Sequence, residues 1–111
     1  MGISTHILDT ALGLPAAEVG VTLERWVDGA WDEISRVKTD LDGRCKSLLP
    51  GGAEVRWGRY RVRFETGTYF EARAVRCLYP YVEIVFEVFD ERHYHIPLLV
   101  TANGYTTYRG S

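Results

Sequence analysis

The amino-acid sequence predicts an all-β protein, a sandwich built from short strands. Apolar residues recur with a period of two rather than 3.6 along most of the chain. The runs are separated by residue pairs that suit tight turns: Asp28-Gly29, Asp42-Gly43, Gly51-Gly52 and Asn103-Gly104. At 111 residues the chain is long enough for one domain with its own core, without help from metal or disulfide. No repeat, linker or low-complexity tract interrupts it, so residues 1–111 are read as a single domain.

Each element has its own justification. "STHILD" (4–9) reads as an N-terminal strand carrying His6. In "VGVTLERWV", Val19, Val21 and Leu23 alternate with polar neighbours. "RWGRYRVR" (56–63) places Arg59, Arg61 and Arg63 on one strand face and Tyr60, Val62 and Phe64 on the other. The plain reading of that arginine row is a solvated strand face. "TGTYFEARA" (66–74) departs from the two-residue rhythm and predicts one short helix ahead of the break at Pro80. Val82, Ile84, Phe86 and Val88 form the apolar face of the next strand. In "HYHIPLLVTA", Pro97 lacks an N–H and is expected at a sheet edge or a bulge.

The closing "TTYRGS" follows from the turn before it. With Asn103-Gly104 as a two-residue hairpin turn, Ala102 faces Tyr105, and the register carries Ser111 opposite Ile96, beside His95. A segment at a chain end that would otherwise fray is then held in place.

Composition narrows the function. With 46% hydrophobic and 25% charged residues, the chain has the make-up of a globular protein, and no apolar run is long enough to span a bilayer. No membrane partner is expected. Of thirteen Lys and Arg residues only Lys38 and Lys46 are lysines, and fifteen acids leave a net charge of −2. That balance argues against a nucleic-acid partner. Cys45 and Cys77 lack C-x-x-C spacing and are expected to be free thiols in a reducing compartment. "MGISTHILDT" has neither a secretory pattern nor the Ser/Thr a myristoylation motif requires, so the expected location is cytoplasmic.

Three histidines are present: His6, His93 and His95. Taken singly, each has a plain reading as a packed or surface residue. His93 and His95, two apart, share one strand face, and His6 must be brought to them by the fold. Three histidines suffice for a zinc site with an open position, but this spacing is not a metal signature, and no metal or other cofactor is expected. A triad of Ser111, His95 and Asp9 is set aside, because no G-x-S-x-G elbow accompanies it.

"STHILDTALGLPA", "DGRC", "HYHIPLLV" and the closing "YRGS" together resemble the transthyretin-like family in its 5-hydroxyisourate hydrolase branch, over nearly the whole chain. The resemblance implies a β-sandwich of two four-stranded sheets with one short helix, assembled as a homotetramer, a dimer of dimers. It implies hydrolysis of 5-hydroxyisourate to 2-oxo-4-hydroxy-4-carboxy-5-ureidoimidazoline on the route from urate to allantoin. Carried over to this sequence, the catalytic positions are His6, Arg44, His95 and Ser111, and the substrate-binding positions are Tyr108, Arg109 and Gly110.

The chemistry suits those residue types. A neutral imidazole takes a proton from water near pH 7, a role open to His6 or His95. Arg44 offers a permanently charged fork to an oxygen that becomes negative. Gly110 permits close backbone approach, and Arg109 has the plain alternative of an ion pair that anchors its strand. His93 is read as a packing residue behind the site. The competing reading is a non-enzymatic carrier that holds a small ligand in the same place, for which a mainly apolar cavity is expected.

Overall fold

A computed structural model describes residues 2–51 and 53–111. Its elements, in chain order, are β1 (Ile3–Asp9), β2 (Leu14–Pro15), β3 (Gly20–Val27), β4 (Ala30–Lys38), β5 (Arg44–Cys45), β6 (Gly58–Phe64), α1 (Thr66–Ala72), β7 (Val82–Val88), β8 (Tyr94–Thr101) and β9 (Gly104–Thr107). They form two sheets. One runs β4-β3-β6-β7; the other runs β2-β1-β8-β9 with β5 also paired to β1. The expected count of four strands holds for the first sheet. In the second, the fourth place is shared, because β2 pairs with Leu8 and Asp9 while β5 pairs with Thr5 and His6 along one edge of β1.

Alternation places the core between the sheets. Tyr60, Val62 and Phe64 are buried, as are Val19, Val21 and Leu23. They meet Ile3, Ile7, Leu98 and Val100 from the opposite sheet. Helix α1 adds Tyr69 and Phe70 to that core. The Tyr69 hydroxyl donates to buried Asp9 (2.9 Å), and burial, followed by that bond, pushes its pKa up to about 12. The helix stops at Ala72, two residues short of the expected end, and Ala74 leaves it with φ of 58°.

The turns divide. At the β3–β4 hairpin Asp28 and Gly29 both take positive φ (50° and 82°), and Val27 faces Ala30, as the Asp-Gly pair predicts. Gly43 also has positive φ (74°), and a Cβ there would collide with the Ile7 carbonyl, so only glycine fits. Of the Gly51-Gly52 pair, Gly52 lies outside the described residues.

Asn103-Gly104 is a correction. Thr101 faces Gly104, so the turn residues are Ala102 and Asn103, and neither has positive φ among the described residues. The Thr101 hydroxyl closes the turn by accepting from the Asn103 N–H and donating to the Gly104 carbonyl, which removes the need for a left-handed residue. The register therefore slides by two: Gly110, rather than a residue beyond it, pairs with His95, and Ser111 does not lie opposite Ile96. Because side chains alternate with a period of two, a slide of two keeps every residue on its expected face.

Pro97 is a second correction. It lies in β8, an interior strand between β1 and β9. Its carbonyl accepts from the Thr107 hydroxyl (2.8 Å), so its N–H-less side faces β9, where the ladder lapses between the Leu98–Thr107 pair and the His95–Gly110 bridge. The missing donor costs no ladder bond there. Among the described residues no helix is long and apolar enough to cross a membrane.

Candidate active site

The parallel pairing of β1 with β8 builds the site. Ser4 lies opposite His95 and His6 opposite Pro97. Since Ile3, Thr5 and Ile7 point into the core, Ser4 and His6 project from the outer face. On the other side of β1, Arg44 pairs with His6. Arg44 is set by the loop before it: the Asp40 carboxylate accepts from the N–H groups of Asp42 and Arg44 (both 2.9 Å), and Ile7 donates to the Gly43 carbonyl (2.7 Å). The backbone N–H of Arg44, more than any other neighbour, draws the Asp40 pKa down.

A cavity of about 240 Å³ opens on this face, lined by Ser4, Arg44, Lys46, His93, His95 and Ser111 together with Thr5 and Cys45. Three of the expected catalytic residues thus come together. The fourth, His6, stands next to Arg44 in register, with its Nε2–H donating to the Asp42 carbonyl (2.9 Å). A carbonyl only accepts, so the proton sits on Nε2 and a neutral His6 keeps its lone pair on Nδ1. The Gly110 N–H donates to the His95 carbonyl (2.8 Å), and a Cβ on Gly110 would run into the His95 ring.

The other two residues of "YRGS" point elsewhere. Arg109 pairs with Asp90 (3.2 Å) and lies over the Tyr94 ring at 3.9 Å, on the side of β8 opposite to His95. The Arg109 hydrogen bond holds the Asp90 carboxyl down at about 2. Tyr108 and Arg109 line a separate, largely apolar cavity of about 250 Å³ with Ile84, Phe86, Tyr94 and Ile96.

Electrostatics single out His95. Burial first, then the charges of Arg44, His6 and His93, depress its pKa below the ordinary imidazole value, so it is neutral at pH 7. The guanidinium of Arg44 makes no ion pair among the described residues, and no Asp or Glu side chain lines the cavity. Cys45 is inert by comparison, its thiol pushed up to about 11 by burial.

Two participants escaped the sequence reading. Ser4 bridges His93 and His95 through its hydroxyl, at 2.7 and 2.8 Å, and no local pattern marks a serine in a strand as a partner of residues some ninety positions away. Lys46 had a signal, since it stands two positions from Arg44 and shares its face.

Comparison with known proteins agrees with this architecture. Residues 3–110 match the model of the HIUase/Transthyretin family. The 5-hydroxyisourate hydrolase of Salmonella typhimurium is 44% identical, across 98% of this chain and 80% of its own length. The structure of Klebsiella pneumoniae 5-hydroxyisourate hydrolase superposes with a TM-score of 0.88 at 34% identity, covering all of both chains. Sea bream transthyretin in complex with thyroxine superposes at 0.91 with 30% identity, over 99% of this chain and 95% of that one. With the fold transthyretin-like and the family match nearly end to end, the chain belongs to the HIUase/transthyretin family.

Proposed function

We propose that this protein is a 5-hydroxyisourate hydrolase acting in urate degradation. The observation that carries the reading is the cavity on the outer β1–β8 face, where a neutral imidazole, an unpaired guanidinium and a hydroxyl converge. A carrier cavity would be mainly apolar; this one is polar and cationic. The 44% identity to the Salmonella typhimurium hydrolase supports the same reading.

In this mechanism His95 is the base. It takes a proton from water at Nε2 while the oxygen bonds to the ring carbonyl carbon. Arg44 holds the resulting oxyanion. The C–N bond then breaks, and the proton on His95 passes to the leaving nitrogen, which restores the neutral imidazole and yields a carboxylic acid that loses its proton to water at neutral pH. His6, its Nε2–H already committed to Asp42, offers Nδ1 as an acceptor that orients substrate or water. Ser111 donates a hydrogen bond to the substrate. Arg109 fastens the tetrapeptide through Asp90, with Tyr108 beside it, and Gly110 lets the backbone close on His95.

The same reading assembles the chain as a homotetramer. β7 and β9 are the outermost strands of their sheets and flank one apolar cavity, which offers two unpaired edges to a second copy. Leu12, Leu14 and Leu41 stand exposed and supply apolar surface for further association. Sedimentation or light scattering at four chain masses is the expected result; a monomer breaks that part of the reading. The reaction is assigned to the cytoplasm, where the free Cys45 and Cys77 stay reduced.

The direct test follows the decay of 5-hydroxyisourate generated in situ by urate oxidase, with and without the protein. Catalysed decay that survives a chelator is the expected result. No acceleration over spontaneous decay overturns the reading in favour of a carrier.

A further inference from the structure

One hydroxyl joins two imidazoles behind the cavity. Ser4 Oγ lies 2.7 Å from His93 Nε2 and 2.8 Å from His95 Nδ1. A serine hydroxyl has one proton to give, and a neutral imidazole has one N–H and one lone pair. With both rings neutral, both short contacts are satisfied when one ring donates to Oγ and Oγ donates to the other, or when both rings donate to the two lone pairs of Oγ and its own proton is left without a partner in the cluster. The two patterns that use the Ser4 proton within the cluster differ in what His95 can do. If Ser4 donates to His95, the His95 proton sits on Nε2 and no lone pair is left for water. If His95 donates to Ser4, Nε2 is bare.

Resting on the reading of His95 as the base, we propose that Ser4 is a positioning residue, with His93 behind it: Ser4 accepts the His95 Nδ1–H and passes its own hydrogen bond on to His93 Nε2. This chain fixes both the tautomer and the ring orientation of His95. It also needs no rearrangement when His95 takes a proton at Nε2, because the Nδ1–H still donates to Ser4 and Ser4 still donates to His93. A group already oriented for the charged form adds nothing to the barrier.

The surroundings hold the three side chains in place. Ser4 is only 7% exposed, so water competes poorly for its hydroxyl. Its position follows from the β1–β8 register, reinforced by the Tyr94 N–H donating to the Gly2 carbonyl (2.8 Å) and the Thr5 hydroxyl to the Ile96 carbonyl (2.6 Å). A Cβ at Gly2 would stand 3.3 Å from His93 Cε1, so glycine there gives the His93 ring room against the backbone. In hydrolases with a buried aspartate behind the histidine, the carboxylate orients the ring and stabilises the imidazolium. Here a serine and a histidine orient the ring without a carboxylate's stabilisation, which agrees with the depressed His95 pKa. Groups that face His95 are Arg44 from β5, His6 and Ser4 from β1, and His93, Lys46 and Ser111 around the cavity.

The test reads ring-nitrogen NMR spectra of the ¹⁵N-labelled protein, alongside turnover. With three histidines in the chain, single His→Gln variants assign them. At neutral pH the wild-type spectrum is expected to show His95 as one tautomer, protonated on Nδ1; a His95 protonated on Nε2 overturns the proposal with no variant needed. Ser4→Ala should give a mixture of tautomers and lower kcat by about tenfold, a fraction of what a general base supplies, with KM little changed. Ser4→Thr and His93→Gln, which keep a hydroxyl and an acceptor, should restore the single tautomer and most of the turnover. Thermal melts establish that each variant is folded. Unchanged tautomer and turnover in Ser4→Ala, with His95→Gln inactive, breaks the positioning role and leaves His95 as base; full turnover in His95→Gln breaks the base assignment itself.

Discussion

The two outer faces of the sandwich both carry rows of charge, and they use it in opposite ways. On the β4-β3-β6-β7 face a broad hollow of about 760 Å³ is lined by Arg36, Lys38, Arg61 and Arg63 and by Glu24, Glu33, Glu65 and Glu83. There the charges answer one another. Arg61 pairs with Glu24 (2.8 Å) and lies over the Trp31 ring, while Arg63 pairs with Glu65 (2.7 Å) and lies over Tyr81. The β1–β8 face has a cavity a third as large, lined by Arg44 and Lys46, two histidines and two serines, with no Asp or Glu side chain. Volume is therefore a poor guide to function in this molecule. Cations already matched by carboxylates stabilise the sheet; a cation left unmatched beside a neutral base is available to a substrate.

The comparison breaks most sharply at Arg44. Arg44→Met should lower kcat by about 10²–10³-fold, the usual effect of removing an oxyanion donor, with the melting temperature little changed. Normal turnover would mean that the unmatched guanidinium is idle. His95→Gln should cost about 10²-fold or more, measured in the same decay assay. The two are linked through pH. The base must be neutral, and the His95 pKa is depressed, so the acidic limb of kcat/KM should lie below the ~6.5 of ordinary histidine. Removing the Arg44 charge relaxes one cause of the depression, so the limb in Arg44→Met should move upward. A limb that stays put assigns it to another group.

Smaller effects sharpen the contrast. Gly43→Ala forces a side chain onto the Ile7 carbonyl at positive φ, and should cost more than about 1 kcal/mol of stability, read by chemical denaturation. Because that turn sets Arg44, turnover should fall with it. Arg61→Met on the opposite face should leave turnover untouched and shift stability by no more than about 1 kcal/mol. A loss of activity there would mean that the larger hollow takes part in the reaction.

Much of this was legible in the sequence. Alternation at Val19, Val21 and Leu23, and at Tyr60, Val62 and Phe64, marks the core strands because one buried face imposes a period of two on any strand. Asp28-Gly29 turns as its residue types require. Asn103-Gly104 does not, because the Thr101 hydroxyl supplies locally what left-handed backbone would otherwise provide. Pro97 could not be placed by the edge rule alone, since the rule concerns which hydrogen bonds are formed rather than which strand is outermost. Ser4 was invisible for a deeper reason. Its partners come from the parallel β1–β8 pairing, a contact between distant segments that leaves no spacing in the chain to read.

The slide of two residues at the last hairpin has a consequence for how the molecule can change length. Between Gly104 and Ser111 a single deletion would turn the closing residues over, carrying Gly110 from its place opposite His95 to the face of Tyr94 and Ile96. A double deletion would only move them one step along β8. Length variation in this segment is governed by parity, so that lineages and designs that shorten or extend it can do so in pairs and keep the site's wall.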